Sequence, residues 1–438
     1  MKATRETGRR HGLGATLAVL CVAAGMVQPA GAGTLCVNAH GSGCYATIGA
    51  AVADAKPGDT IQVAQGIYRE DVVIGIPLSL VGKNAANTII DATGLANGIY
   101  IDGLDNAGLS GVSVTGFTVQ NANFEGILIT NASNVMIQGN RVAGNDRSLD
   151  FATTSCPGLP AFETSEGEDC GEGIHLSGVT QSKFAQNLIE NNSGGILVSD
   201  ETAATHDNWI VNNVVRNNTL DCGITIPSHP PAFLPFGTAP YGVYNITVSG
   251  NDVLYNGING VGAGIGLFGF LPGARVSGNT ISGNRIIGNG LPGVTMHAHS
   301  PGEDMNGNMI TGNYISGNGA DGEDAATPGT AGINLYINVD GAPGPSGIVV
   351  SKNVIKDEMN DVVVHTPESV SVNWNNLNGG GMGVVNLGTA SVDASNNWWG
   401  CAQGPGANGC SGMDSSNVTD TPFLTSPAVP NGSPKAQH

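Results

Sequence analysis

The sequence predicts an all-β chain wound into a right-handed parallel β-helix of roughly ten coils, with a short N-terminal capping helix. Three observations predict it. A phrase of Gly, a β-branched residue and two more, the last apolar, reads GILI from Gly126, GIHL from Gly173 and GILV from Gly195. It returns as GITI from Gly223, GIGL from Gly264, GVTM from Gly293 and GINL from Gly332. Between these copies a second phrase sets an Asn after Gly or another Asn, at Asn140, Asn213, Asn251, Asn284 and Asn313, with SKNVI at Asn353. The stretches between are short Val- and Ile-rich runs bounded by Gly and Asn, which suit strands joined by tight bends rather than helices. Repeats of this length cannot bury an apolar face alone, so each must cover its neighbour.

In chain order, residues 1–32 read as an export signal. Lys2, Arg5, Arg9 and Arg10 precede an apolar stretch over 13–27, and Ala30-Gly31-Ala32 is a small-residue cleavage site. No later run reaches the ~18 apolar residues of a membrane span, so no membrane insertion is expected. The β-helix is assigned to 33–425, and 426–438 to a tail without order. An amphipathic helix over about 48–55, ended by Pro57-Gly58, is the expected cap over the first rung. Trp398 and Trp399 are expected to cover the far end. The Asn phrase reads as a ladder through Asn140, Asn187, Asn213, Asn251, Asn284, Asn313 and Asn353. Asn tolerates the left-handed backbone region there and bonds to the Asn of adjacent coils.

Without the signal the chain keeps 12 basic against 34 acidic residues. Nucleic acid is therefore not an expected partner. A polyanionic sugar would be repelled unless a cation bridges it. The mature chain holds seven cysteines. Their spacing in an oxidising compartment suggests the pairs Cys36–Cys44, Cys156–Cys170 and Cys401–Cys410, leaving Cys222 as a buried thiol. The expected state is a secreted or periplasmic monomer.

Two stretches are familiar. An aliphatic helix, then PGDTI from Pro57, then V-x-x-G-x-Y ending at Tyr68 resembles the opening of secreted right-handed β-helix proteins of the pectate-lyase-like superfamily. SNNWWG from Ser395, GPG from Gly404 and TPFL from Thr421 resemble the far end of exported bacterial β-helix proteins. The resemblance implies the scaffold, which hosts lyases, hydrolases, epimerases and proteins without chemistry. The pectin hydrolases' paired Asp and Gly-His-Gly elements are absent.

Insertions at 147–172, 227–241 and 320–331 interrupt the rhythm; loops this long in a solenoid read as walls beside a groove. Aligning coils on the Gly-Ile phrase stacks outward residues at rungs about 4.8 Å apart. One column holds His175, Leu197, Thr225, Gly266, Thr295 and Asn334. The next outward column holds Ser199, Pro227, Phe268, His297 and Tyr336, and a third holds Glu201, His229, Phe270, His299 and Asn338. The concentration of His and carboxylate predicts a polysaccharide groove over 173–338, with Glu201, Asp221, His229 and His297 as catalytic candidates. His175, Asp200, His299, Tyr336 and Phe268 are the substrate-binding candidates. Glu201 beside His229 suits acid–base work. Glu201 with Asp221 or Asp200 suits a glycosidase pair. Uronate lyase or epimerase chemistry would use His297 with Tyr336, and Arg216 or Ca²⁺ to neutralise the sugar carboxylate. No cofactor is required, though Ca²⁺ fits, and the acidic third loop offers it a place. The other readings are a non-catalytic carbohydrate-binding solenoid and a copper-linked periplasmic β-helix protein, whose opening is similar. For the latter, His297-x-His299 is a fair Cu or Zn pair, with His229 two rungs away, about 10 Å.

Overall fold

The computed structural model describes residues 31–39, 41–146, 160–162, 171–235, 237–298, 300–322, 325–337, 346–413 and 417–430. The export signal, the Cys156–Cys170 pair, His299, Asn338 and the end of the tail fall outside them. Each coil is three short strands separated by bends, as in Lys183–Ala185, Leu188–Glu190 and Gly194–Ser199. Each strand pairs in parallel with its counterpart one coil away. The result is three long sheets of 14, 11 and 12 strands, so the solenoid is slightly longer than ten coils. A fourth, three-stranded sheet (Thr205–His206, Val243–Tyr244 and Val276–Ser277) adds a corner after the third sheet. The chain has the right-handed parallel β-helix fold that the repeats predict.

Strand alternation sends one residue in two inward, and the apolar residues follow it. Ile127, Ile174, Ile196, Ile224, Ile265, Val294, Ile333, Val362 and Val384 form one continuous column by register, all fully buried. The Gly before each Ile is forced by close approach of the next coil. A Cβ at Gly195 would stand 2.1 Å from the Gly223 carbonyl oxygen and 2.5 Å from Val215 Cγ1.

The Asn ladder runs through all seven expected residues and continues to Asn375 and Asn397. Each backbone N–H donates to the next side-chain oxygen at 2.8–3.0 Å. The left-handed assignment moves by one residue. The backbone turns at Gly139, Gln186, Asn212, Gly250, Gly283, Gly312, Lys352, Trp374 and Asn396, each just before a ladder Asn, with φ of 55–68°. Gly and Asn precede the ladder residue because they tolerate this region. A second ladder, Asn145, Asn192, Asn218, Asn256, Asn289 and Asn318, follows the same rule one bend later.

Both ends are sealed. The helix Ile48–Asp54 buries Ile48 and Ala51, and its N-terminus is capped by Thr47 and by Glu70, which accepts from Ile48 N and Gly49 N at 2.8 Å. The Cys36–Cys44 and Cys401–Cys410 disulfides close the entry and exit. Trp399 is fully buried over the last turns and Trp398 half-buried. Among the described residues no helix is long and apolar enough to cross a membrane.

The second ladder ends on a carboxyl. Glu358 stands where Asn would, accepting from Asn318 N at 2.9 Å and Nδ2 at 3.0 Å, while its Oε2 has no hydrogen-bond partner. Buried Asp361 lies beside it. Burial pushes Glu358 up to about 7, and the charge of Asp357 works the same way. The folded value lies above the unfolded one, so this group favours the fold below about pH 4.5, and that contribution is lost as pH rises through about 7. Glu358→Gln is therefore expected to stabilise the protein above pH 7 by about 3 kcal/mol and to do little at pH 4. Urea unfolding at the two pH values measures this; equal effects at both would refute it.

Candidate active site on the third sheet

The third-sheet strands Glu172–Ser177, Gly194–Ser199, Ile224–Ser228, Ile265–Gly269, Val294–Ala298 and Ala331–Tyr336 carry the cluster. Their register reproduces the first expected column and the second from Pro227 to Tyr336; the third lies beyond the paired strands, with His299 and Asn338 outside the described residues. His175 faces Leu197, Leu197 faces Thr225, and the column continues through Gly266, Thr295 and Asn334. Pro227, Phe268, His297 and Tyr336 align likewise, and His365 extends the row. These outward residues are not solvated. His175, Ser199, Glu201 and His229 are buried, as are Asp200, Asp221 and His297.

Glu201 and His229 meet as expected, with His229 Nδ1 3.1 Å from Glu201 Oε1. The other carboxylate oxygen accepts from Ser177 Oγ at 3.2 Å and from Ser199 Oγ, and lies 3.6 Å from His175 Nε2. His175 Nε2 is 2.9 Å from Ser199 Oγ, and its Nδ1 is 3.3 Å from Glu125 Oε1. A single hydrogen-bonded chain thus runs Glu125, His175, Ser199, Glu201, His229 across adjacent coils. Burial alone would push the Glu201 carboxyl up. The bonds and charges of His175 and His229 outweigh it and hold Glu201 well below the usual carboxylate range.

Asp200 differs from its expected role at the sugar. One of its oxygens accepts from His229 N at 2.6 Å, and the other from Ser228 Oγ at 2.9 Å and from Gly242 N. It ties together both feet of the loop 229–242. Burial raises its pKa to about 6 against those donors. Asp221 lies three residues ahead of the strand Ile224–Ser228, accepting from Thr225 Oγ1 at 3.0 Å, with its pKa raised by burial. Arg216 cannot serve a sugar here, because it lies in the second sheet and is bound to Glu190 at 2.7 Å. Cys222 is a buried free thiol whose pKa burial pushes well up.

His297 is held by Thr295 Oγ1 at 2.7 Å and by Asp321 at 3.2 Å, so the acidic third loop supplies an imidazole partner through Asp321. Rings then follow one another from coil to coil, with one step, Phe270 to Phe268, lying within a single coil. His229 and Phe270 have centroids 5.3 Å apart, Phe270 and Phe268 6.5 Å, and Phe268 and His297 5.2 Å. His297 to Tyr336 spans 6.0 Å, and Tyr336 to His365 spans 5.1 Å. His206 stands apart, stacked on Tyr244 in the fourth sheet, with Arg275 over the same Tyr ring.

Glu125, Glu172, Ser177, Asp321 and His365 were not anticipated. The first two had a signal, since Glu-Gly-Ile opens both the GILI and the GIHL copies. One donor atom from each of Glu125, Glu172 and His175 lies within 4.8 Å of the others.

Residues 36–228 match the family model described as periplasmic copper-binding protein (NosD). That span contains Glu125, Glu172 and His175, whose imidazole and carboxylates are a fitting donor set for copper. None of the curated proteins matches the chain. Among solved structures, the chain is similar to the A-module of the mannuronan C-5 epimerase AlgE6 of Azotobacter vinelandii. Identity is 16%, with 84% of this chain and 91% of that one covered and a TM-score of 0.47. It is also similar to the catalytic unit of a GH87 α-1,3-glucanase of Streptomyces thermodiastaticus, at 16% identity, 92% and 71% coverage and a TM-score of 0.49. An alginate lyase of Paenibacillus sp. follows at 13% identity, 88% and 99% coverage and a TM-score of 0.39. The chain is a right-handed parallel β-helix protein.

Proposed function

We propose that this is an exported protein that modifies a polysaccharide by proton transfer at the Glu201–His229 pair. The observation that carries the reading is the position of that pair, at one end of a row of rings running from Phe270 to His365. Aromatic faces suit sugar rings, and the row's spacing along the axis gives a linear glycan successive contacts. Glu201 orients His229 through Nδ1, so proton exchange falls to Nε2. His297, backed by Asp321, is a second proton carrier two coils along. A carboxylate hydrogen-bonded to imidazole suits the proton abstraction and return of lyase or epimerase chemistry. The Pro-rich loop starts at His229, and its Ala232 amide bonds the Glu201 carbonyl at 2.8 Å. Two disulfides fit an oxidising, extracytoplasmic setting. Copper bound at Glu125, Glu172 and His175 would supply positive charge beside the pair.

The mature chain on a panel of neutral and acidic glycans, with and without chelator, tests the reading. Unsaturated-uronate absorbance is expected for a lyase, and changed sugar stereochemistry by NMR for an epimerase. New reducing ends without absorbance would replace proton transfer with hydrolysis, and no product on any glycan would end the enzymatic reading.

A further inference from the structure

The proton-transfer reading makes no catalytic use of the carboxylates that gather one coil below Glu201. Glu125 and Glu172 each stand two residues ahead of the paired Ile127 and Ile174, and so emerge from neighbouring coils at the same level. With His175 they form the group whose donor atoms lie within 4.8 Å, and all three residues are wholly buried. The next position in that column is Gly194, paired with Glu172. A Cβ on Gly194 would meet Glu172 Oε1 at 3.1 Å and Asp221 Oδ2 at 3.2 Å. The missing side chain leaves a gap bordered by carboxylates from two coils, and buried Asp221 reaches over it from the coil above.

Carboxylates this close in a dry setting repel one another unless a positive charge stands among them. An imidazole nitrogen among carboxylate oxygens is the donor mix of Zn²⁺ and Cu²⁺ sites, whereas Ca²⁺ takes six to eight oxygens. We propose that Glu125, Glu172, His175 and Asp221 bind one transition-metal dication, Cu²⁺ or Zn²⁺, in the gap left by Gly194. The far nitrogen of His175 meets Ser199, whose hydroxyl bonds Glu201. The ion would therefore be wired to the proton-transfer pair through one imidazole and one hydroxyl. The site stands whether or not the protein acts on a glycan.

The test uses the mature chain, stripped by chelator and dialysed against copper, zinc or calcium chloride, with bound metal read by elemental analysis. About one Cu²⁺ or Zn²⁺ per chain is expected, with a Tm that rises with free metal and Cu²⁺ spectra carrying nitrogen coupling from an imidazole. Gly194→Ala keeps every ligand and fills the gap against the ends of flexible side chains. It and Glu172→Gln are each expected to weaken binding by roughly tenfold or more, with the metal-free Tm of Gly194→Ala near that of the unaltered protein. Should Gly194→Ala fail to fold, Glu172→Gln and the spectra decide. No uptake by the unaltered chain, undiminished uptake by the variants, or saturation by Ca²⁺ alone would each overturn the site.

Discussion

Glu201→Gln is expected to lower turnover on the responsive glycan by roughly 10³-fold, the scale on which a positioned acid–base partner contributes. The carboxylate is held ionised by two imidazoles. That charge stands 3.1 Å from His229 Nδ1 and attracts positive charge on the ring. The amide keeps the shape but not the charge. The imidazole limb of the pH–rate profile should therefore move to lower pH in the variant. Melting temperature cannot separate chemistry from structure here, because Glu201 also accepts from Ser177 and Ser199, and losing those charge-assisted bonds costs stability by itself. The pH limb does separate them. A variant that keeps its activity within a few-fold, or loses it with the limb unmoved, would make Glu201 a packing residue.

The columns on the third sheet were legible because the Gly-Ile phrase occurs once per coil and a strand's period is two, so register follows from alignment. Pairing His297 with Phe268 and Tyr336 needed nothing more. Burial was not legible. An outward-facing residue is exposed only if nothing folds over it, and Glu201, His175 and His229 point away from the core yet are covered. Glu125 was missed for a related reason. It lies ahead of the stretch 173–338 in which His and carboxylate concentrate, yet its side chain meets His175, 50 positions later in sequence. Arg216 illustrates the opposite error. Its charge looked available in sequence, but its strand belongs to another sheet, where Glu190 takes it. Asp200 looked like a ligand because it neighbours Glu201. Both lie just past the strand Gly194–Ser199, where two main-chain amides and the Ser228 hydroxyl claim Asp200 instead.

Asn251→Ala, in the middle of the first ladder, is expected to cost about 3–6 kcal/mol, well above an ordinary buried polar deletion. The Asn251 side-chain oxygen accepts from Asn213 N at 2.9 Å and Asn213 Nδ2 at 3.0 Å, and its amide donates to the Ile210 carbonyl at 2.9 Å and to Asn284 Oδ1 at 3.0 Å. Alanine removes all four bonds and strands the Asn213 backbone N–H on the preceding coil, at about 1–3 kcal/mol for a buried group left unpaired, while Asn284 Oδ1 keeps the Asn251 N–H at 2.9 Å. Thr247→Ala, on the outer side of the same coil, should stay within about 0.5 kcal/mol. Because a solenoid is held by nearest-neighbour interfaces, the damage should begin locally. Hydrogen exchange should therefore lose protection first at the amides of 213, 251 and 284, before any global unfolding. A loss below about 1 kcal/mol, or protection falling evenly along the chain, would mean that coil stacking rests on the apolar columns and not on the ladder.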